Sequence, residues 1–265
     1  MEKKPYTKPE ARTEMNWIEN PSLIQGREEA ERLLYLLTSY DNPNKTRYAE
    51  LAKNNEAWAA DKTTYLDSGL GDFQTPYGVQ WEELYRGTLA HVNRNEDLRT
   101  NYEAIFVFIK EHCKDSVLVD LGGNNLDIFS ANNLQAGMYV GVNRYSDKKG
   151  EVDPRKPSSI SMGTTNVHGL VEISSRSIYV KADMLDFVSR MPDASANFTI
   201  NGIDRAIIDD IEYHKALAVE IARATRVGGV IFGAGSVSLR YLNTKGIKEY
   251  EMNDAINKRV FEKIA

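Results

Sequence analysis

The chain has 265 residues and a mass of 29.9 kDa, with 42% apolar and 27% charged residues. Those proportions suit one large globular domain, or one domain with an appendage, and exclude a disordered or fibrous chain. A net charge of -5 and a pI near 5.5 argue against a protein that grips nucleic acid by its phosphates, which needs a basic face.

The single cysteine, Cys113, cannot make an internal disulfide. It closes a helical pattern and reads as a half-buried structural thiol. No apolar run approaches the roughly 18 residues that span a bilayer. The N-terminal Met1-Glu-Lys-Lys-Pro has no apolar stretch behind it and does not read as a secretory signal. The expectation is a soluble, cytoplasmic protein with no membrane partner.

Up to Lys114-Asp115-Ser116 the patterns are helical. Ala30, Leu33, Leu34, Leu37 and Tyr40 recur at three and four residues and share one helix face. Trp81, Leu84, Tyr85 and Leu89 do the same, as do Tyr102, Ile105, Phe106 and Ile109. We read residues 1–95 as a helical N-terminal cap, rich enough in aromatic residues to bury the surface of a second copy in a homodimer. Between the helices, Gly69, Gly71, Pro76 and Gly78 make a loop. It is either a plain connection or a flap carrying Phe73 and Tyr77 over a substrate.

From about residue 96 to 265 the texture is that of an α/β domain, with short apolar runs alternating with helical stretches. The runs are Val117–Val119, Met138–Val142, Ser177–Val180, Asn197–Ile200 and Val230–Phe232. The best helix between them is Ile211 to Thr225, with Leu217, Ala218, Ile221 and Ala222 inward and Gly228-Gly229 as its stop. Residues from about 145 to 175, rich in Lys, Ser, Gly, Thr and Pro, exceed what a crossover needs and read as an exposed insertion. In the tail, Ile247–Met252 and Arg259–Ile264 fit a hairpin, although Ile256, Val260 and Ile264 are also spaced for a helix.

The informative stretch is Val117-Leu-Val-Asp-Leu-Gly-Gly-Asn-Asn-Leu-Asp-Ile-Phe129. A strand ends in Asp120 and turns through Gly122-Gly123, where glycine permits unusual dihedrals and close approach of the backbone to a ligand. Parallel sheets bind ligands beyond the carboxyl ends of their strands. The second strand ends in Asn143, the third runs into Ala182-Asp183-Met184, and the fourth ends in Asn201-Gly202.

These segments resemble the class I (Rossmann-like) S-adenosylmethionine-dependent methyltransferases over roughly residues 100–265. Asp120-Leu-Gly122 resembles the start of that family's acidic-x-Gly-x-Gly-x-Gly loop, and Tyr139-Val-Gly-Val-Asn143 its second strand with the ribose-binding end. Ala182-Asp183-Met184 is similar to the segment that meets adenine. Met191–Gly202 is similar to the entry into the fourth strand. Arg226-Val-Gly-Gly is similar to an Arg-Pro-Gly-Gly turn, with Val227 in place of the proline.

The resemblance implies a doubly wound, mostly parallel seven-stranded sheet with a terminal antiparallel hairpin, and it favours the hairpin for the tail. It implies S-adenosylmethionine as cofactor, held by Asp120, Gly122, Gly123, Asn124, Asn143, Asp183, Met184, Asn201 and Gly202. The glycine backbone would cradle the methionine part, and Asp120 would orient its ammonium group directly or through water. Asn143 would bond the ribose, Asp183 the adenine amino group, and Met184 would pack on the ring. Asn201 and Gly202 would face the sulfonium and the acceptor.

For an amine or hydroxyl acceptor a general base helps, and the candidates are Asp204, Asp209, Asp210 and His214. Tyr65, Phe73, Tyr77 and Trp81 are candidate contacts for a small-molecule substrate. Asn201-Gly-Ile-Asp204 is not the Asn-Pro-Pro-aromatic signature of amino-methylating nucleic-acid enzymes. With the acidic net charge, that argues against a DNA substrate. The four histidines have no metal-ligand spacing, so no metal is expected.

Asn124 and Leu126 stand where the family has its second and third loop glycines, and Asn143 where it has an acid. These departures support an alternative, a scaffold or binding module that keeps the fold with weak or no cofactor use. A nicotinamide-dependent enzyme would need Gly-x-Gly-x-x-Gly after the first strand, which Gly122-Gly123-Asn124-Asn125 does not supply.

Overall fold

The computed structural model describes residues 27–54, 107–122, 135–143, 169–173, 177–200, 208, 210–234, 236–250 and 258–265. Eight strands form one sheet: β1 Val117–Leu121, β2 Met138–Asn143, β3 Gly169–Ile173, β4 Ser177–Lys181, β5 Asn197–Ile200, β6 Val230–Ala234, β7 Ile247–Tyr250 and β8 Lys258–Lys263. Their order is β3-β4-β2-β1-β5-β6-β8-β7. β4, β2, β1, β5 and β6 are parallel neighbours. β8 runs antiparallel between β6 and β7, and β3 antiparallel on β4.

The five apolar runs become β1, β2, β4, β5 and β6, and the tail is the hairpin β7–β8. Among the described residues the sheet has eight strands, where seven were expected. The end of the segment read as an exposed insertion folds as β3 and pairs with β4. An uncovered β4 would present a row of unpaired backbone groups at the edge of the sheet, a liability that a short antiparallel strand removes.

The helices are α1 Arg27–Leu37, α2 over 45–54, α3 through 107–113, α4 Met184–Ser189 and α5 Ile211–Ala224. Register partners point to the same side of a sheet, so the pairings define its two faces. One face carries Val117, Val119, Leu121, Met138, Val140, Val142, Ile178, Val180, Phe198, Ile200, Ile231 and Phe261. All twelve join a single apolar cluster with Ala30, Leu33, Leu34 and Leu37 of α1, Leu185 and Phe187 of α4, and Leu217 and Ile221 of α5.

The opposite face carries Leu118, Asp120, Tyr139, Asn197, Thr199 and Phe232, and α3 lies against it. Asn197 Nδ2 donates to His112 O at 3.1 Å and to Ser116 Oγ at 2.7 Å, while its Oδ1 accepts from Val230 N at 2.8 Å. Phe108 meets Tyr250 at 4.8 Å between ring centroids. Cys113, expected to be half-buried, is 0% exposed, and burial pushes its thiol pKa up. That makes it an inert packing group.

The N-terminal elements are tied to the sheet domain by polar contacts as well as by apolar packing. Tyr40 N donates to Arg190 O at 2.9 Å, and Asn42 Nδ2 donates to Ser189 O and to the buried Glu220 carboxylate, both at 3.0 Å. Arg223 pairs with Glu220 at 2.7 Å and stacks its guanidinium over Tyr40 at 4.5 Å. Burial, with the Glu220 charge second, pushes the Tyr48 hydroxyl up to about 12. No helix among the described residues is long and apolar enough to cross a membrane.

Candidate functional site

In an open parallel sheet, the crevice lies where chain connections leave neighbouring strands in opposite directions. Here that point is between β1 and β5. The chain leaves β1 towards β2 and β4 on one side, whereas β5 leads to β6 on the other. The register brings the carboxyl ends together: Leu121 faces Val142 and Ile200, and Asn143 faces Lys181.

Asp120 lies one residue before the end of β1, on the polar face, and is 5% exposed. Tyr139, one strand away and 0% exposed, donates its hydroxyl to Asp120 Oδ2 at 2.8 Å. Gly141 is the register partner of Asp120, so β2 places no side chain directly opposite the carboxylate. A phenol aimed at a buried carboxylate is a charge-assisted bond, among the stronger kinds in a protein.

Gly122 turns the chain out of β1 at φ 85, while its N–H still reaches Val142 O at 2.7 Å. Residues other than glycine rarely adopt that dihedral. The glycine of the sequence motif therefore has a physical cause.

Beyond β4, Asp183 caps α4. Its Oδ1 accepts from Leu185 N at 2.9 Å and Asp186 N at 3.1 Å. The same oxygen accepts from Tyr213 Oη at 2.8 Å, and Tyr213 in turn accepts from Leu185 N at 3.1 Å. Tyr213 comes from α5 and is fully buried. Asp183 is only partly buried. Its neighbour Met184 sits in the apolar cluster.

Asp120 and Asp183 thus flank the ends of β1 and β4, with β2 between them. Two strand spacings separate the strands by about 10 Å, the scale of a nucleoside with an amino-acid tail. Two accepting carboxylates and a glycine turn fit such a cofactor: one acceptor for an ammonium group, one for an exocyclic amine, and at the end of β1 a backbone free of a Cβ.

On the other flank, Gly233 of β6 sits so close to β5 that a Cβ would lie 1.9 Å from Ile200 O. The carboxyl end of β6 is thereby drawn tight against β5. The candidate bases lie in the segments that follow. Asp210 caps α5, with Oδ1 accepting from Glu212 N at 2.8 Å and Tyr213 N at 3.4 Å. His214 is 3% exposed and spans Ser238 Oγ at 2.9 Å and Ile208 O at 3.3 Å. That placement suits a brace between the segments following β5 and β6 more than a proton acceptor from substrate.

Gly123, Asn124, Asn201, Gly202, Asp204, Asp209, Tyr65, Phe73, Tyr77 and Trp81 lie outside the described residues, as does the side chain of Asn143. Tyr139, Tyr213 and Asn197 were not singled out by the sequence reading. Tyr139 stands in an apolar strand where an aromatic residue is unremarked, and its partner Asp120 is 19 residues away. Only the pairing of Leu118 with Tyr139 reveals that the two share a face.

No protein-family model and no curated protein matches the sequence. Among solved structures, the N-methyltransferase NodS from Bradyrhizobium japonicum is 12% identical, over 65% of this chain and 99% of that one, with a TM-score of 0.41. An rRNA methylase from Streptococcus thermophilus is 11% identical over 61% and 95%, with a TM-score of 0.39. A chain provisionally described as a type II methyltransferase from Anaeromyxobacter dehalogenans is 16% identical over 49% and 46%, with a TM-score of 0.31; the present chain spans less than half of its length.

Proposed function

We propose that the chain is an S-adenosylmethionine-dependent methyltransferase that transfers a methyl group to an oxygen or nitrogen nucleophile of a small molecule. The observation that carries the reading is the convergence of strand ends at the switch between β1 and β5, with Asp120, the left-handed turn at Gly122 and Asp183 arrayed along it. The cofactor supplies an electrophilic methyl on a sulfonium, so the protein has mainly to align the nucleophile and exclude water.

In this reading Asp120 receives the ammonium group and Asp183 the adenine amino group, while the Gly122 turn lets the backbone approach. Asn143 takes the ribose. A base for the acceptor comes from Asp204 or Asp210, beyond β5, and His214 holds the flanking segments in place. Tyr65, Phe73, Tyr77 and Trp81 contact the acceptor, and the aromatic N-terminal region serves as a homodimer surface that sedimentation analysis would reveal. The single cysteine, unable to form an internal disulfide, supports a cytoplasmic setting for the reaction.

Calorimetry with S-adenosylhomocysteine tests the reading. Saturable binding at or below millimolar concentration supports it, and no heat at millimolar ligand removes it. Asn143→Asp separates it from the scaffold alternative. If binding is found only after that substitution, the scaffold reading replaces the enzyme.

A further inference from the structure

Each of the two carboxylates at the crevice is held by a fully buried tyrosine from a neighbouring element. Tyr139 of β2 donates to Asp120 Oδ2 at 2.8 Å, and Tyr213 of α5 donates to Asp183 Oδ1 at 2.8 Å. The two tyrosines reach the crevice from different directions. Tyr139 rises from the polar face of the sheet. Tyr213 belongs to the apolar cluster on the opposite face.

A buried hydroxyl needs a partner. Each donates to a carboxylate. Building on the methyltransferase reading, we infer that Tyr139 and Tyr213 are positioning residues that separately set the two ends of the cofactor site. Tyr139 acts through Asp120 on the amino-acid end, and Tyr213 acts through Asp183 on the adenine end.

The physical basis is orientation. The Tyr139 hydroxyl helps to set the plane of the Asp120 carboxylate, and at Asp183 the Tyr213 hydroxyl joins Leu185 N and Asp186 N on one oxygen to do the same. Tyr213 does more than donate: by accepting from Leu185 N at 3.1 Å it ties the carboxylate to the start of α4. The angle at which Asp183 faces the crevice is therefore set by α5 as well as by its own cap.

The experiment compares two probes, S-adenosylhomocysteine and methylthioadenosine, which share the adenosine but differ in the amino-acid tail. Calorimetry is run on the full chain and on Tyr139→Phe and Tyr213→Phe, with circular dichroism to confirm folding. Tyr139→Phe is expected to weaken S-adenosylhomocysteine about tenfold and methylthioadenosine less than about twofold, because a bond to a charged group is lost at one end only. Tyr213→Phe is expected to weaken both probes by the same factor, about fivefold to tenfold. A merely structural role would weaken both probes together in both variants, and that result overturns the inference.

Equal affinity of Tyr139→Phe and the parent for S-adenosylhomocysteine also overturns it. If the parent binds neither probe, the methyltransferase reading itself fails and takes the inference with it. Should Tyr139→Phe not fold, Asp120→Asn keeps an oxygen acceptor for the phenol and removes the charge. It must then lose S-adenosylhomocysteine selectively, and a loss shared by both probes counts against the inference.

Discussion

The two faces of the sheet are both buried, yet they are held by different physics. The face under α1, α4 and α5 is built from Val, Leu, Ile, Met and Phe side chains that interlock with three helices in one cluster. The face under α3 includes Asp120, Tyr139, Asn197 and Thr199, each buried. Stabilisation of the first face scales with apolar area and is tolerant of which apolar residue supplies it. Stability of the second depends on particular pairs, since a buried polar group costs free energy whenever its partner is removed. The face of particular pairs brings Asp120 and Tyr139 to the crevice, while Tyr213 reaches Asp183 from the apolar side.

Four measurements would sharpen or break that contrast. The largest effect belongs to the apolar face. Phe198, fully buried at the centre of β5, should cost about 4 kcal/mol when replaced by alanine, read by urea denaturation. Any of that variant that remains folded at low temperature should bind S-adenosylhomocysteine as the parent does. A large change in affinity would show that the two faces are not separable.

On the polar face, Asn197 serves three partners through one side chain: His112 O, Ser116 Oγ and Val230 N. Asn197→Ala leaves all three without it and should cost about 3 kcal/mol, although it removes almost no apolar area. A loss below about 1 kcal/mol would mean that this face too is held by area.

Alkaline pH gives an effect of intermediate size. The thiol of Cys113 is raised by burial, so above the ordinary cysteine value the unfolded chain releases a proton that the folded chain keeps. The folded state then binds more protons, and stability falls as pH rises. Between pH 8.5 and 10 the loss from this thiol is about 2 kcal/mol. Tyr48, raised by burial to about 12, adds a loss of the same sign above pH 10. Lys263, lowered by burial, works in the opposite direction. Cys113→Ala should flatten the decline below pH 10, and an unchanged slope would refute this assignment.

The smallest effect is local. Gly228 has φ 71, and nothing lies within 4 Å of where a Cβ would stand, so Gly228→Ala should cost only the left-handed strain, about 1 kcal/mol. Gly233→Ala offers the contrast, because there a Cβ meets the Ile200 carbonyl. If both substitutions cost the same by thermal denaturation, close packing of β6 on β5 is not what the glycine serves.

Much of the fold was legible along the chain. A strand buried on both faces reads as a short, nearly continuous apolar run, and each of the five runs became a strand. α5 was readable from Leu217, Ala218, Ile221 and Ala222 because its period of 3.6 residues and its glycine stop are local properties. β3 was not readable, since Gly169–Ile173 becomes a strand by covering an edge supplied by β4. The motif Asp120-Leu-Gly122 was legible for a related reason: a turn at positive φ leaves a glycine behind in the sequence.

Local sequence carries the alternation of strands and helices and the place of the turn after β1, because each depends on neighbours a few positions away. Tertiary structure alone decided that Tyr139 meets Asp120, that Tyr213 meets Asp183, and that His214 faces inward. Those contacts join positions 19, 30 and 24 residues apart, and no local periodicity records them. Strand order and helix packing bring such groups within hydrogen-bond reach.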